Sequence, residues 1–404
     1  MARDSLYPVS VKAGKPILGM LPTGWQKLSL EKCLNIEARK AYIQDNQEYD
    51  LVTVKRSRGG VIRREHLKGK DISVKSQFYI KEGDFLISKR QIVHGACGLV
   101  PKELSGSIVS NEYCVLTGKS GFYLPYMEFL SESLYFQQTC FHSSIGVHIE
   151  KMIFKLDSWF KWPFNIPPLS EQKRIVKILS TWDKAISVTE KLLANSQQQK
   201  KALMQQLLTG KKRLLDENGV RFNGKWEKKL LSDVADVYQP KTISQSMMSD
   251  SGYPVYGANG VIGFYQEFNH ETEQIAVTCR GSTCGIVNWT QAKSWITGNA
   301  MVINTDNYSY VSKKFLFYTL NGSDLKYLIS GSGQPQITGN IKTHIINLPC
   351  IEEQQKIATV LSAADAEIYT LEKKLACLRD EKKALMQQLL TGKRRVKVDE
   401  AVAE

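Results

Sequence analysis

The sequence predicts an α+β protein in which two strand-rich domains are separated by two long antiparallel coiled-coil helices, the whole an internal duplication with pseudo-two-fold symmetry. Three observations carry this expectation. One long segment occurs twice, its apolar residues step by three and four, and the stretch before each copy alternates short β-rich runs with glycine turns.

The first copy, NIPPLSEQKRIVKILSTWDKAISVTEKLLANSQQQKKALMQQLLTGKKR, begins at Asn165, and the second, NLPCIEEQQKIATVLSAADAEIYTLEKKLACLRDEKKALMQQLLTGKRR, begins at Asn347. They align without a gap, and KKALMQQLLTGK is identical in both. GWQKLSL around Trp25 and KWEKKLL around Trp226 extend the duplication to the domain starts. Proline (Pro167, Pro349) precedes each copy's helix, and glycine (Gly210, Gly392) with lysine and arginine follows it, as helix ends require.

Between these signals runs a heptad seam. In the first copy it comprises Ile175, Leu179, Trp182, Ile186, Leu193, Leu203 and Leu207, with Thr189, Ser196 and Lys200 as polar members. The second has Ile357, Leu361, Ile368, Leu371, Leu375, Leu378, Leu385 and Leu389, with Lys382 as its charged member. Such a seam calls for a helical partner, and the other copy is the nearest candidate. A helix from Glu171 to Leu208 would be roughly 57 Å long at 1.5 Å per residue. The second helix starts where the second domain ends, so packing seam on seam makes the pair antiparallel. The expected boundaries are a first domain at 1–164, a first helix at 165–214, a second domain at 215–345, a second helix at 346–396 and a tail at 397–404.

Both domains carry short strands, such as YDLVTVKR and DFLIS in the first and QIAVTC and AMVINT in the second. In the first, Lys55, Arg56, Arg58, Arg63, Arg64, Lys68 and Lys70 surround the Gly59-Gly60 turn, a pattern suited to a phosphate backbone, and SKRQIVHGACG presents Lys89, Arg90, Gln91 and His94. Arginine and glutamine match the bidentate edges of guanine and adenine, which makes this loop a candidate base reader. In the second domain the candidates are Tyr256, Asn259, Arg280, Ser282, Thr283, Gln334, Gln336 and Asn340, polar groups in glycine-punctuated loops that come close to a groove or simply form turns.

The net charge of +14 is uneven. Residues 1–165 hold 23 Lys and Arg against 16 Asp and Glu, and 166–225 hold 12 against 5, whereas 226–345 balance at 9 each. The basic first half suggests a polyanionic partner. Eight cysteines without a CxxC pair fit reduced thiols, and Cys279 with Cys284 lacks a second pair for zinc. No secretory signal or membrane-length apolar run is visible, which leads to the expectation of a cytoplasmic protein with no membrane partner. Catalytic patterns are missing: GKS at Gly118–Ser120 has Tyr113 where a phosphate-binding loop needs glycine, no glycine turn suggests S-adenosylmethionine binding, and the histidines do not cluster for a metal.

Over essentially the whole chain this arrangement resembles the specificity subunits of Type I restriction-modification systems. The signatures are Pro-x-x-x-Glu-Gln (Pro167–Gln172, Pro349–Gln354), the KKALMQQLLTGK helix ends, YPVYGANGVIGFY and GSGQPQIT. Cys350 departs from the proline found at Pro168, and the first domain is longer than the second. The resemblance implies a prokaryotic, DNA-associated, non-catalytic subunit with two target recognition domains, each reading half of a bipartite site in double-stranded DNA. It also implies that the helices act as spacer and dock two methyltransferase subunits that modify adenine, joined by restriction and translocation subunits. No cofactor is then expected on this chain, with S-adenosylmethionine on the methyltransferase subunits and ATP and Mg²⁺ on the restriction subunits. The alternative from another class is a structural or adaptor coiled coil that does not bind DNA.

Overall fold

The computed structural model describes residues 14–258, 260–331 and 335–397. The chain divides into two compact units, one formed by the residues up to Val188 together with those from Leu375 onward, the other by Thr189–Lys374. Each unit holds one globular domain and part of both long helices, Leu169–Leu207 and Ile351–Leu390.

In the first unit, Gln26–Ser29 pairs antiparallel with Pro163–Ile166, bringing the domain's beginning beside its end just ahead of the helix. A four-stranded antiparallel sheet runs in the order Leu34–Glu37, Tyr113–Gly118, Phe85–Ser88, Cys97–Leu99. A five-stranded sheet contains the long hairpin Glu48–Val54 and Val61–Lys68, whose register shifts between Leu51 and Val52. Phe85, Tyr126, Phe136, Trp159 and Phe164 fill the core, which Ile175 and Leu179 of the first helix and Leu389 of the second complete.

The second unit repeats the frame. Glu227–Leu230 pairs with Ile345–Leu348, and a four-stranded sheet runs Asp236–Tyr238, Ala300–Asn304, Ile275–Thr278, Val287–Trp289. By chain order both four-stranded sheets are therefore arranged first, fourth, second, third. A three-stranded sheet (Gly260–Tyr265, Tyr253–Gly257, Trp295–Ile296) replaces the five-stranded one. Leu207 of the first helix and Ile357 and Leu361 of the second join Phe315, Tyr318 and Ile275 in this core.

Within each unit the two helices pair antiparallel along the predicted seam. Ile175, Leu179, Leu207, Ile357, Leu361, Leu375 and Leu389 are buried, and the other apolar seam members are half-buried. Each fully buried leucine or isoleucine contributes about 1.5–3 kcal/mol of transfer free energy. The seam lysines are answered by aspartates of the opposite helix: Lys382 Nζ lies 2.6 Å from Asp183 in the first unit, and Lys200 bonds Asp365 in the second. Among the described residues no helix is long and apolar enough to cross a membrane.

Candidate nucleic-acid interface

A clasp repeated in both units holds each domain on its helices. The glutamate of Pro-x-x-x-Glu-Gln is almost fully buried and accepts from a tryptophan indole and an arginine fork. In the first unit Trp25 Nε1 donates to Glu171 at 2.9 Å, and Arg395 Nε and Nη2 donate at 2.8 Å each. In the second, Trp226 donates to Glu353 at 3.1 Å and Arg213 at 2.6 and 2.7 Å. The glutamine that follows secures the helix start: Gln172 accepts from Tyr123 N–H and donates to the Pro167 carbonyl, while Gln354 accepts from Ser312 N–H and donates to the Pro349 carbonyl. Gly392, with φ of 67°, presses against Pro22 and Trp25, and Gly210, with φ of 69°, against Trp226, so a Cβ at Gly392 would collide. A buried carboxylate needs such bidentate pairing to offset its desolvation.

In both units the connection between the second and third strands of the four-stranded sheet carries polar candidates, in the first beside the buried Ile92, Val93 and Ala96. In the first it carries Lys89, Arg90, Gln91 and His94, between Phe85–Ser88 and Cys97–Leu99. In the second it carries Arg280, Ser282 and Thr283, between Ile275–Thr278 and Val287–Trp289. The two candidate loops thus occupy one topological position.

The family profile described as Type I restriction modification DNA specificity domain matches residues 22–195 and 223–377, each match covering one globular domain and the better part of a long helix. The chain belongs to the family of Type I restriction-modification specificity subunits. It is 28% identical over 309 residues to the Type I restriction enzyme MjaVIII specificity subunit of Methanocaldococcus jannaschii, spanning 68% of this chain and 70% of that one. Its fold is similar to the S subunit of the Type I restriction-modification system from M. genitalium, with 14% identity and a TM-score of 0.62, and to the HsdS subunit from Thermoanaerobacter tengcongensis, with 18% identity and a TM-score of 0.51. Each likeness covers 93% of this chain and 99% of the other.

In this specificity subunit the first unit brings the basic turn and the candidate loop together. Ser57 and Arg58 adopt positive φ (54° and 50°), a conformation costing non-glycine residues on the order of 1–3 kcal/mol each. Two hydrogen bonds to the loop offset it: Ser57 N–H donates to the His94 carbonyl at 2.7 Å and Arg58 N–H to the Gly95 carbonyl at 2.9 Å. Arg56 donates to Gln91 at 2.8 Å and pairs with Glu150, which also lies 3.2 Å from His94. Arg63 pairs with Asp50, Arg64 with Glu65 and Arg90 with Glu112, all with arginines more than half exposed, where such pairs contribute about 0–1 kcal/mol. Lys89 Nζ donates to the Asn111 carbonyl, and Lys55, Lys68 and Lys70 belong to the same basic hairpin and its end. Hydrogen bonds to Asp50 and then Glu48 push the His66 pKa up.

Arg58 differs from its neighbours. Its side chain is only 12% exposed, donates to the Ser131 carbonyl at 3.0 Å and lies 3.7 Å from Glu132, so it anchors the turn and does not present its charge to solvent. Nearby, burial pushes the Glu128 carboxyl up, partly opposed by the Leu99 N–H that it accepts.

In the second unit the loop with Arg280, Ser282 and Thr283 lies against the one with Gln336. Gly281 N–H donates to the Pro335 carbonyl, Ile337 N–H to the Cys279 carbonyl, and Gln336 and Ser330 exchange both backbone bonds. Residues 297–299 join from below: Cys279 N–H donates to the Asn299 carbonyl, and Gln239 and Cys279 side chains both reach the Gly298 carbonyl. Gln239 was missed in the sequence because nothing near it marks a loop partner 59 residues away.

Two expected contacts serve the fold. Tyr256 is 7% exposed, packs with Ala276, Ile296 and Val302, and its hydroxyl accepts from Gln291 N–H, which corrects its placement as a groove-facing residue. Asn340 braces a turn, donating to the Leu328 carbonyl and accepting from Thr338. Asn259 and Gln334 lie outside the described residues. Cys279 is buried and Cys284 half-buried, and no group of His, Cys, Asp or Glu among the described residues is arranged to hold a metal.

Proposed function

We propose that this chain reads a bipartite sequence in double-stranded DNA for a Type I restriction-modification complex, one half-site per globular domain. The observation that carries this is the shared loop position: a duplicated sheet mounts Lys89–His94 in one copy and Arg280–Thr283 in the other. Different side chains on equivalent scaffolds suit the reading of different bases. In the first domain Arg56, Arg63 and Arg64 exchange weak surface partners for phosphates, releasing counterions, while Gln91 and Arg90 reach base edges. The balanced charge of the second domain gives it a smaller share of the phosphate contacts and leaves recognition to Arg280, Ser282, Thr283 and Gln336.

The chain performs no reaction itself. Two methyltransferase subunits docked on the helices supply S-adenosylmethionine and adenine methylation, and restriction and translocation subunits supply ATP and Mg²⁺ chemistry. The purified chain, assayed alone and then with its methyltransferase subunits, should transfer methyl groups only in the second case, at adenines within one split motif. Methyl transfer by the chain alone, or methylation by the complex without sequence preference, overturns the proposal.

A further inference from the structure

The candidate loop of the first unit is joined by a second, shorter hairpin. Its strands, Ser144–Ile145 and Ile153–Phe154, pair antiparallel, and its root is fixed: Phe154 is buried against Trp159, and its N–H donates to the Lys89 carbonyl at 2.8 Å. The tip, by contrast, is open to solvent. Residues 145–148 are exposed, and Glu150 follows them in a single turn of 3₁₀ helix, Ile149–Lys151.

From this tip the Glu150 carboxylate reaches two side chains at once. One oxygen, Oε2, accepts from Arg56 Nη2 at 2.8 Å, and the other, Oε1, lies 3.2 Å from His94 Nε2. Arg56 is steadied on its other flank, where Nε donates to the Gln91 side chain at 2.8 Å. Nitrogens from the turn and from the loop thus converge on one anion, and a phosphodiester offers such nitrogens the same paired oxygens as a carboxylate. His94, 18% exposed, closes the site from the protein side, while Arg56 and Glu150 are each more than half exposed. The turn and the loop hold each other through the Ser57 and Arg58 backbone bonds, whereas Glu150 enters from an exposed tip, so the carboxylate is the part that can swing out.

We propose that Arg56 and His94 together form a phosphate site whose resident anion is the Glu150 carboxylate, and that a DNA phosphate binds there by displacing it. This rests on the proposed reading of DNA by the first domain. Glu150 then opposes binding twice: it occupies Arg56 beforehand, and once displaced its charge stays within a Debye length, roughly 8–10 Å, of the phosphate backbone. Because a phosphate carries no base identity, the opposition acts on DNA of any sequence and leaves preference to Gln91 and Arg90.

The test measures the affinity of the full chain, assembled with its methyltransferase subunits, for duplexes with and without the motif that its methylation map defines. A wild-type complex without any sequence preference would count against the DNA-reading proposal itself and so is distinguishable from failure of the site. Glu150→Gln should tighten binding to both duplexes about three- to fivefold, the scale of one surface ion pair, and leave the methylation motif unchanged. With Arg56→Ala already in place the same change should gain less than about twofold, because the two residues are coupled through their contact, and with His94→Gln in place the gain should also shrink. Should Glu150→Gln fail to accumulate, Glu150→Ala carries the same expectations. An equal gain with and without Arg56 would reduce Glu150 to a diffuse surface charge and overturn the proposal, and a full gain beside His94→Gln would overturn the two-sided site. Unchanged affinity in a variant that melts like wild type overturns it too, as does a motif altered at one position, which would make Glu150 a base reader.

Discussion

The seam lysine of the first unit, Lys382, is met from the globular domain by Glu132, whereas that of the second, Lys200, is met by Tyr318, which donates to Asp365 at 2.6 Å and places its ring 5.8 Å from the lysine. The aspartates facing the lysines are equivalent in the repeat, as are the clasps Trp25–Glu171–Arg395 and Trp226–Glu353–Arg213. A carboxylate in one unit and a phenol in the other mark where duplicated parts have diverged. The clasps match residue for residue, the four-stranded sheets match in strand order, and the loops match only in position. The comparison separates a holding frame, which tolerates little change, from mounted loops free to take up new chemistry.

The largest effect expected from this division is a change of target. Replacing residues 226–345 by the equivalent domain of another specificity subunit, with both seams left in register, should replace one half of the methylation motif completely and leave the other half as it was. Motif mapping checks this, and a chimera that assembles yet alters both halves would break the separation of frame and loops.

Next in size are the clasps. Glu353→Ala leaves Arg213, 19% exposed, without its carboxylate and should destabilise the second unit by about 3–5 kcal/mol. Glu171→Ala should cost less, because Arg395 is 43% exposed and solvent screens its loss. Calorimetry of each variant should show a lowered unfolding transition, larger for Glu353→Ala. The reverse order would show that burial does not set the worth of the two clasps.

A smaller effect distinguishes arginines within the basic hairpin. Changing Arg56, Arg63 and Arg64 together to alanine should flatten the salt dependence of DNA affinity by up to about 0.9 in slope for each phosphate no longer neutralised, at little cost in stability. Arg58→Ala should do the opposite, lowering the melting temperature while keeping the salt slope. Binding titrations over a salt series, with a melting curve for each variant, resolve the two roles.

Much of the frame was determined by sequence alone. Repetition of the Asn165 and Asn347 segments specified two long helices, their glycine ends and their antiparallel pairing, because heptad spacing and capping are local patterns that survive duplication. The seam lysines were visible as charges, and the motif Pro-x-x-x-Glu-Gln was visible as a signature. Their partners were not. That Glu171 would meet Arg395, that Lys382 would meet Asp183 and Glu132, and that the turn at Ser57 would be held by the His94 loop depended on contacts between residues far apart in the chain. Tertiary structure alone also decided which polar groups face water: Tyr256 and Arg58 have the composition of contact residues, yet packing against Val302 and bonding to Ser131 turn them inward. Side-chain type states what a residue can do, but burial and the partners supplied by distant strands decide which of those capacities is used.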